Sequence, residues 1–409
     1  MGVSYFDSIN STAAYNSTGF DGINSTIESD ECPDEDNYQT FYLTFRVTVD
    51  VFIVGSLCLF GILGNIISMV VIKSGKITSA KTTRFLLQGL SISDSSYLIM
   101  AFISSTMRGI MKYTDWGDPF HGRYPYMYRY IWALSAIARL LAVNFVVLVT
   151  IERYIATCHP LNVKRWCTLK RVRIVAAITV LVSMLFNVPR FFDAIPVEYD
   201  NCTKMLDVGG YAEYLELNGM FYSMAYITVL YYTANVIIPI TLLLILNAKI
   251  IITLKRAFRG VEALGSSFNH RAAEKTQAKE KGTTMMLCVV VIVFIVCQTP
   301  SFAISMVYTL YAFGVNMPDR NMMRYWYSIG TTLNVLNSAT NFGIYFVFSK
   351  QFRQVLMGYL SCIKCISCNR GKYTCSSKKF EKSQQSTQST SSSVERYLSN
   401  SSTRETMIV

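Results

Sequence analysis

The sequence predicts an all-α bundle of seven membrane spans, followed by a short amphipathic helix on the bilayer surface. Three observations predict it. Of 409 residues, 51% are hydrophobic and only 16% charged, where an ordinary soluble domain carries about 25% charged residues. Apolar runs of about the 20 residues that cross a bilayer recur at 47–72, 85–110, 126–152, 172–189, 223–252, 283–311 and 324–348. The segments between them alternate in charge. Residues 1–45 hold eight acids and no Lys or Arg, whereas 73–84 holds four bases and no acid. Segments 153–171 and 253–282 are basic, and 190–222 carries Asp193, Glu198, Asp200, Asp207, Glu213 and Glu216. Excess Lys and Arg stay on the cytosolic side, so the N-terminus is expected outside and the C-terminus inside. The net charge of +12 then reports orientation and gives no reason to expect a nucleic-acid partner.

Residues 1–46 read as an extracellular tail. The first residues have neither a basic start nor an apolar core, so the first span is expected to act as its own insertion signal. The sequons at Asn10, Asn16 and Asn24 fall in this tail and a fourth, Asn201, in an outer loop, where glycosylation is expected. The sequon at Asn400 falls in the cytosol and should stay bare. Of eleven cysteines, only Cys32 and Cys202 face the oxidising side, which leaves that pair as the one extracellular bridge available within a chain.

The bundle proper is expected over 47–348. Charge is expensive in a bilayer and usually faces the bundle interior, so each buried polar residue is a functional candidate. Asp94 falls about ten residues into the second span, close to the midplane at 1.5 Å per residue, and reads either as a structural acid or as a switch or ion site. In the third span Trp132, Ser135 and Arg139 follow i, i+3, i+7 spacing, and Arg153 returns to nearly the same face two heptads later. The two arginines are about 21 Å apart along the axis. One belongs to the outer half and the other to the cytosolic rim, so they cannot share a role.

After the last span, 349–361 reads as an amphipathic surface helix and 362–409 as a cytosolic tail. Cys362, Cys365 and Cys368 follow that helix without a histidine partner, which favours palmitoylation over metal. The Ser/Thr/Gln run from Ser383 to Thr406 cannot build a core and is expected to be disordered and phosphorylatable. Three apolar residues close the chain, Met407-Ile408-Val409, a weak signal for strand addition to a PDZ groove.

At the rim, Glu152-Arg153-Tyr154 is followed by Cys158-His159-Pro160-Leu161. With Gly64-Asn65, Leu90 and Asp94, Pro189, Pro239, Cys297-Gln298-Thr299-Pro300, Asn337 and Asn341-Phe342-Gly343-Ile344-Tyr345 in order, the chain resembles a rhodopsin-like (class A) G-protein-coupled receptor along all seven spans. Tyr124-Pro125-Tyr126, Glu152 to Leu161, Asn187-Val188-Pro189-Arg190-Phe191-Phe192 and Cys297-Gln298 resemble invertebrate receptors for FMRFamide-like neuropeptides. Some marks of the wider family are replaced. Tyr128 stands where a cysteine usually closes a bridge to Cys202, which leaves Cys32 as the candidate. Gln298 stands for a Trp, Phe342 for a Pro, and Ala142 for the Ser that helps Asp94 hold sodium. Arg139, one turn above Ala142, is placed to pair with Asp94 instead.

The resemblance implies a plasma-membrane, multi-pass receptor that passes agonist binding to a heterotrimeric G protein, with arrestin and receptor kinases acting on the tail. In its switch, Arg153 pairs with Glu152 and, across the bundle, with Glu280. Agonist frees Arg153 as Tyr154, Leu161 and the basic loop meet the G protein and Asn341 and Tyr345 rearrange. An amine ligand is disfavoured, because Ser135 stands where amine receptors place an Asp, and an opsin is excluded by the lack of a Lys between Met323 and Ser349. Trp132, Ser135, Arg139, Tyr231, Asn235, Gln298, Phe302 and Tyr327 would offer rings and polar donors suited to a Phe side chain and a C-terminal carboxamide. The expected ligand is thus an amidated, FMRFamide-like neuropeptide; a myosuppressin or thyrotropin-releasing-hormone-like peptide is the alternative. An enzyme is not expected, since His121, His159 and His270 fall in separate loops with no nucleophile, metal or cofactor constellation. A transporter or channel also accommodates seven spans and an intramembrane Asp, but no internal repeat is visible.

Overall fold

The computed structural model of the protein describes residues 44–74, 80–113, 124–200, 205–208, 217–263, 289–308, 310 and 320–367. The seven expected runs fold as helices. The first covers Thr44–Lys73, the second Lys81–Met111, the third Tyr124–Cys158, the fourth Leu169–Phe191, the fifth Met224–Arg256 and the sixth Val289–Tyr308. Each of these six is long and apolar enough to cross a membrane. The seventh is built from Arg320–Ala339 and Asn341–Phe348, and its first part is too rich in Asn, Ser and Thr to match the others in hydropathy. A Ramachandran-permitted bend joins the two parts at Thr340, whose Oγ1 donates to the Asn337 carbonyl at 3.0 Å. Such back-bonding bends a helix without proline.

The end of the bundle that carries Lys73, Arg153 and Lys170 is the inner end by the charge bias described above. There Val71, Leu86, Leu90, Phe145, Val149, Tyr345 and Phe352 form one apolar cluster that joins the first three spans to the seventh and to the surface helix. Nearer the outer end Val54, Cys58, Leu98, Ala138 and Val335 continue it. Val143, Val147, Leu243 and Phe294 pack the third, fifth and sixth spans together. The first, second and seventh spans approach closely at Gly61, where a Cβ would sit 2.7 Å from Leu98 Cδ1 and 2.8 Å from Ala339 Cβ.

Among the described residues, several features depart from the expectation, and π-helical turns also occur at Val47–Ile53 and Phe102–Met107. The surface helix runs Lys350–Ser367, past the expected end at 361, so Cys362 and Cys365 lie on the helix itself; Cys368 lies outside the described residues. The loop after the fourth span contains a two-stranded antiparallel hairpin, Val197–Asp200 with Met205–Val208, pairing Val197 with Val208. The outer half of the fifth span is wound as π-helix over Ser223–Leu230 and Thr233–Ile237. Cys32, Cys202, Glu280, Asn10, Asn16, Asn24 and Asn201 also lie outside the described residues.

Candidate functional site

The polar face of the third span separates into two centres. In the outer centre, Arg139 donates to the Tyr231 hydroxyl from Nη2 at 2.8 Å and from Nε at 3.3 Å, and its guanidinium carbon lies 5.5 Å from that ring's centroid. Tyr97 and Tyr232 lie close enough to interact electrostatically with the same guanidinium, while the Tyr232 hydroxyl donates to the Ser301 carbonyl at 3.4 Å. No carboxylate among the described residues pairs with it. Arg139 is only part-buried in mid-bundle, as are Trp132, Ser135, Phe302 and Tyr327. Trp132 stacks on Tyr128 with centroids 6.1 Å apart, and Phe302 packs on Tyr232 at 5.7 Å.

Below these rings lie amides. Gln298 is buried, and its side-chain amide has no hydrogen-bond partner among the described residues. Asn235 donates from Nδ2 to the Tyr231 carbonyl at 3.1 Å and leaves its buried Oδ1 unmatched. Asn334, which sequence reasoning missed, donates to Ser301 Oγ at 2.8 Å and likewise leaves Oδ1 unmatched. An unmatched buried polar group costs about 1–3 kcal/mol; Asn65, Asn187 and Asn247 elsewhere in the bundle leave Oδ1 unmatched in the same way.

Arg139 does not pair with Asp94. Asp94, 1% exposed, accepts from Asn341 Nδ2 at 2.6 Å, while the Tyr231 hydroxyl takes the guanidinium. Helical spacing fixes the level of a side chain but not the neighbour it turns toward, and here the fifth and seventh spans supply better partners. Asn65, fully buried, donates to the Ser338 carbonyl at 3.3 Å and ties the first span to this region.

At the inner centre Glu152, 5% exposed, accepts from Thr82 and Thr83 at 3.0 Å and from Arg153 Nε at 2.9 Å. Arg153 also reaches Thr83 Oγ1. The rim arginine is therefore turned toward the second span; Glu280, its expected partner from the sixth, lies outside the described residues. Tyr345 is buried against Phe352, centroids 6.0 Å apart, Tyr154 Oη lies 3.3 Å from His159 Nε2, and Leu161 is 89% exposed.

Two charged residues were not picked out from sequence. Asp50, in the outer turn of the first span, accepts from Arg46 at 3.0 Å and from Ser328 at 3.4 Å; an acid four residues after an arginine at the edge of an apolar run was the available signal. Arg190 reads as a loop charge after the fourth span, yet it is 2% exposed. Nothing in the sequence marked it, since Tyr226 and Tyr231, five residues apart, would fall on different faces of a regular α-helix. The neighbouring Tyr222 hydroxyl donates to Asp193 at 2.7 Å, and burial together with that carboxylate raises it above the ordinary tyrosine range.

A model of the 7 transmembrane receptors (rhodopsin family) matches residues 64–345. The chain is 31% identical over 302 residues to an FMRFamide receptor of Drosophila melanogaster, covering 73% of this chain and 51% of that protein. It is 25% identical over 303 residues to the FMRFamide peptide receptor frpr-18 of Caenorhabditis elegans, covering 73% and 66%. It is 24% identical over 305 residues to the sex peptide receptor of Drosophila melanogaster, covering 70% and 67%. This chain belongs to the rhodopsin family of 7 transmembrane receptors and is a multi-pass protein of the plasma membrane. It spans about half the length of the fly FMRFamide receptor and 66% of the nematode one.

Proposed function

We propose that this receptor binds an amidated, FMRFamide-like neuropeptide in its outer centre and transmits the event to a heterotrimeric G protein. The observation that carries the reading is Arg139, part-buried, held by the Tyr231 hydroxyl and paired with no described carboxylate, near the unmatched buried Oδ1 of Asn235 and the buried Gln298. A C-terminal carboxamide is both acceptor and donor: its carbonyl suits Arg139, its N–H groups suit the amide oxygens, and the Phe ring suits Trp132, Phe302 and Tyr327. The similarity to two receptors named for FMRFamide peptides supports the peptide class.

In the inactive state Arg153 rests on Glu152 and Thr83, and Glu280 completes a lock from the sixth span. Agonist favours the state in which this rim opens and Leu161 with the basic third loop meets the G protein. Arrestin and receptor kinases act on the Ser/Thr tail, Cys362, Cys365 and Cys368 carry lipid, Cys32 bridges to Cys202, and Asn10, Asn16, Asn24 and Asn201 carry glycans. The test is G-protein activation in cells expressing this chain with a promiscuous Gα, against peptides ending in Arg-Phe-NH2 and their free acids. A response to amides alone supports the reading; silence across the panel with confirmed surface expression overturns the ligand, and sends the search to other peptides.

A further inference from the structure

The stretch Val188–Phe191 is a 3-10 turn that closes the fourth span, and it delivers Arg190 into the bundle. The guanidinium carbon of Arg190 lies 4.2 Å from the Tyr231 centroid and 5.7 Å from that of Tyr226. Tyr226 and Tyr231 are five residues apart. A regular α-helix would turn them to different faces, but π-helical i→i+5 winding over Ser223–Leu230 brings residues five apart onto one face, with room for the planar cation between them. Tyr226 is itself fixed: its hydroxyl donates to the Phe186 carbonyl at 2.6 Å, and Tyr222 stacks on it at 5.1 Å. Tyr231 is the ring whose hydroxyl accepts both hydrogen bonds from Arg139.

We infer that Arg190 is a positioning residue of the ligand site, which clamps Tyr231 and through its hydroxyl sets the direction in which Arg139 presents its remaining N–H groups. The clamp extends outward through Tyr226 and Tyr222 to Asp193, so the outer loop and the third-span arginine belong to one stack. Charge alone does not perform this role. A lysine at 190 keeps the cation but has no flat face to lie against two rings. The inference rests on the reading that Arg139 touches the agonist.

The experiment is a double-mutant cycle on the full chain, read as the concentration of an Arg-Phe-NH2 peptide that gives half-maximal G-protein activation, at matched surface expression. Arg190→Lys weakens the peptide about tenfold in the native background and by less than about twofold in an Arg139→Gln background, because coupled residues are non-additive. Equal losses in both backgrounds overturn the inference and leave the ligand reading intact. An Arg139→Gln receptor with unchanged potency overturns the ligand reading instead. Should Arg190→Lys not reach the surface, Tyr226→Leu removes one face of the clamp and must show the same dependence on Arg139; an independent loss overturns the clamp.

Discussion

The third span carries two arginines in opposite company. Arg153 at the inner rim lies against Glu152, which is further held by two threonines. Arg139 in the outer half lies among tyrosines, with no carboxylate partner among the described residues. A guanidinium matched to a carboxylate is at rest, and moving it requires something to take over the pairing. A guanidinium held by neutral hydroxyls and rings keeps its charge uncompensated in a low-dielectric place, where an incoming acceptor gains a charge-assisted hydrogen bond. On the proposed reading, the same residue type on the same helix is a latch at one end and a receptor for an acceptor at the other.

The sharpest way to break this contrast is Arg139→Ala. It should weaken an active amidated peptide about 100-fold, equivalent to about 2.7 kcal/mol, with basal signalling unchanged; a dose–response curve that does not move at equal expression removes Arg139 from the site. Gly61→Ala lies between the two centres and tests packing alone. The added methyl meets Leu98 and Ala339 at under 3 Å, and overpacking of this kind costs about 1–3 kcal/mol. The thermal midpoint in detergent should therefore fall while the potency of surviving receptor holds; an unchanged midpoint would mean that the seventh span yields.

Tyr231→Phe keeps the ring and removes the hydroxyl that Arg139 uses. Potency should drop about tenfold, and a loss equal to that of Arg139→Ala would mean that the phenol itself meets the ligand. The smallest effect belongs to the rim. Glu152→Gln or Glu280→Gln should raise agonist-independent signalling by about threefold through a shift of under 1 kcal/mol between states. Basal activity that stays flat in both variants, at matched surface expression, counts against the latch.

Much of the bundle was legible because a bilayer imposes a minimum apolar length on every crossing helix, and apolar runs such as 126–152 announce themselves. Their ends were less so. The third span continues to Cys158 through Glu152 and Arg153, whose polarity looks like a terminus but is satisfied against the second span. The bend at Thr340 had no proline to mark it. Of the outer centre, Arg139 was visible as a polar residue out of place, and Gln298, Tyr231 and Asn235 came from the resemblance. The partner of Arg139 was not legible, because that depends on azimuth and on the π-helical winding of another span. Arg190 was hidden for the opposite reason: a short 3-10 turn buries a residue that hydropathy assigns to a loop.

The π-helical turns of the fifth span also change how residues are counted. Each such turn holds an extra residue relative to an α-helix of the same height, so the part above Pro239 is out of phase with the part below it. At 3.6 residues per turn, one residue of slip rotates a side chain by about 100°. Positions carried outward from Pro239 by simple counting, in a relative without these turns, would place the counterparts of Tyr231 and Tyr226 on the wrong faces. A chimaera that grafts a regular outer fifth helix onto this bundle would preserve every residue type and still turn the tyrosines away from Arg139 and Arg190.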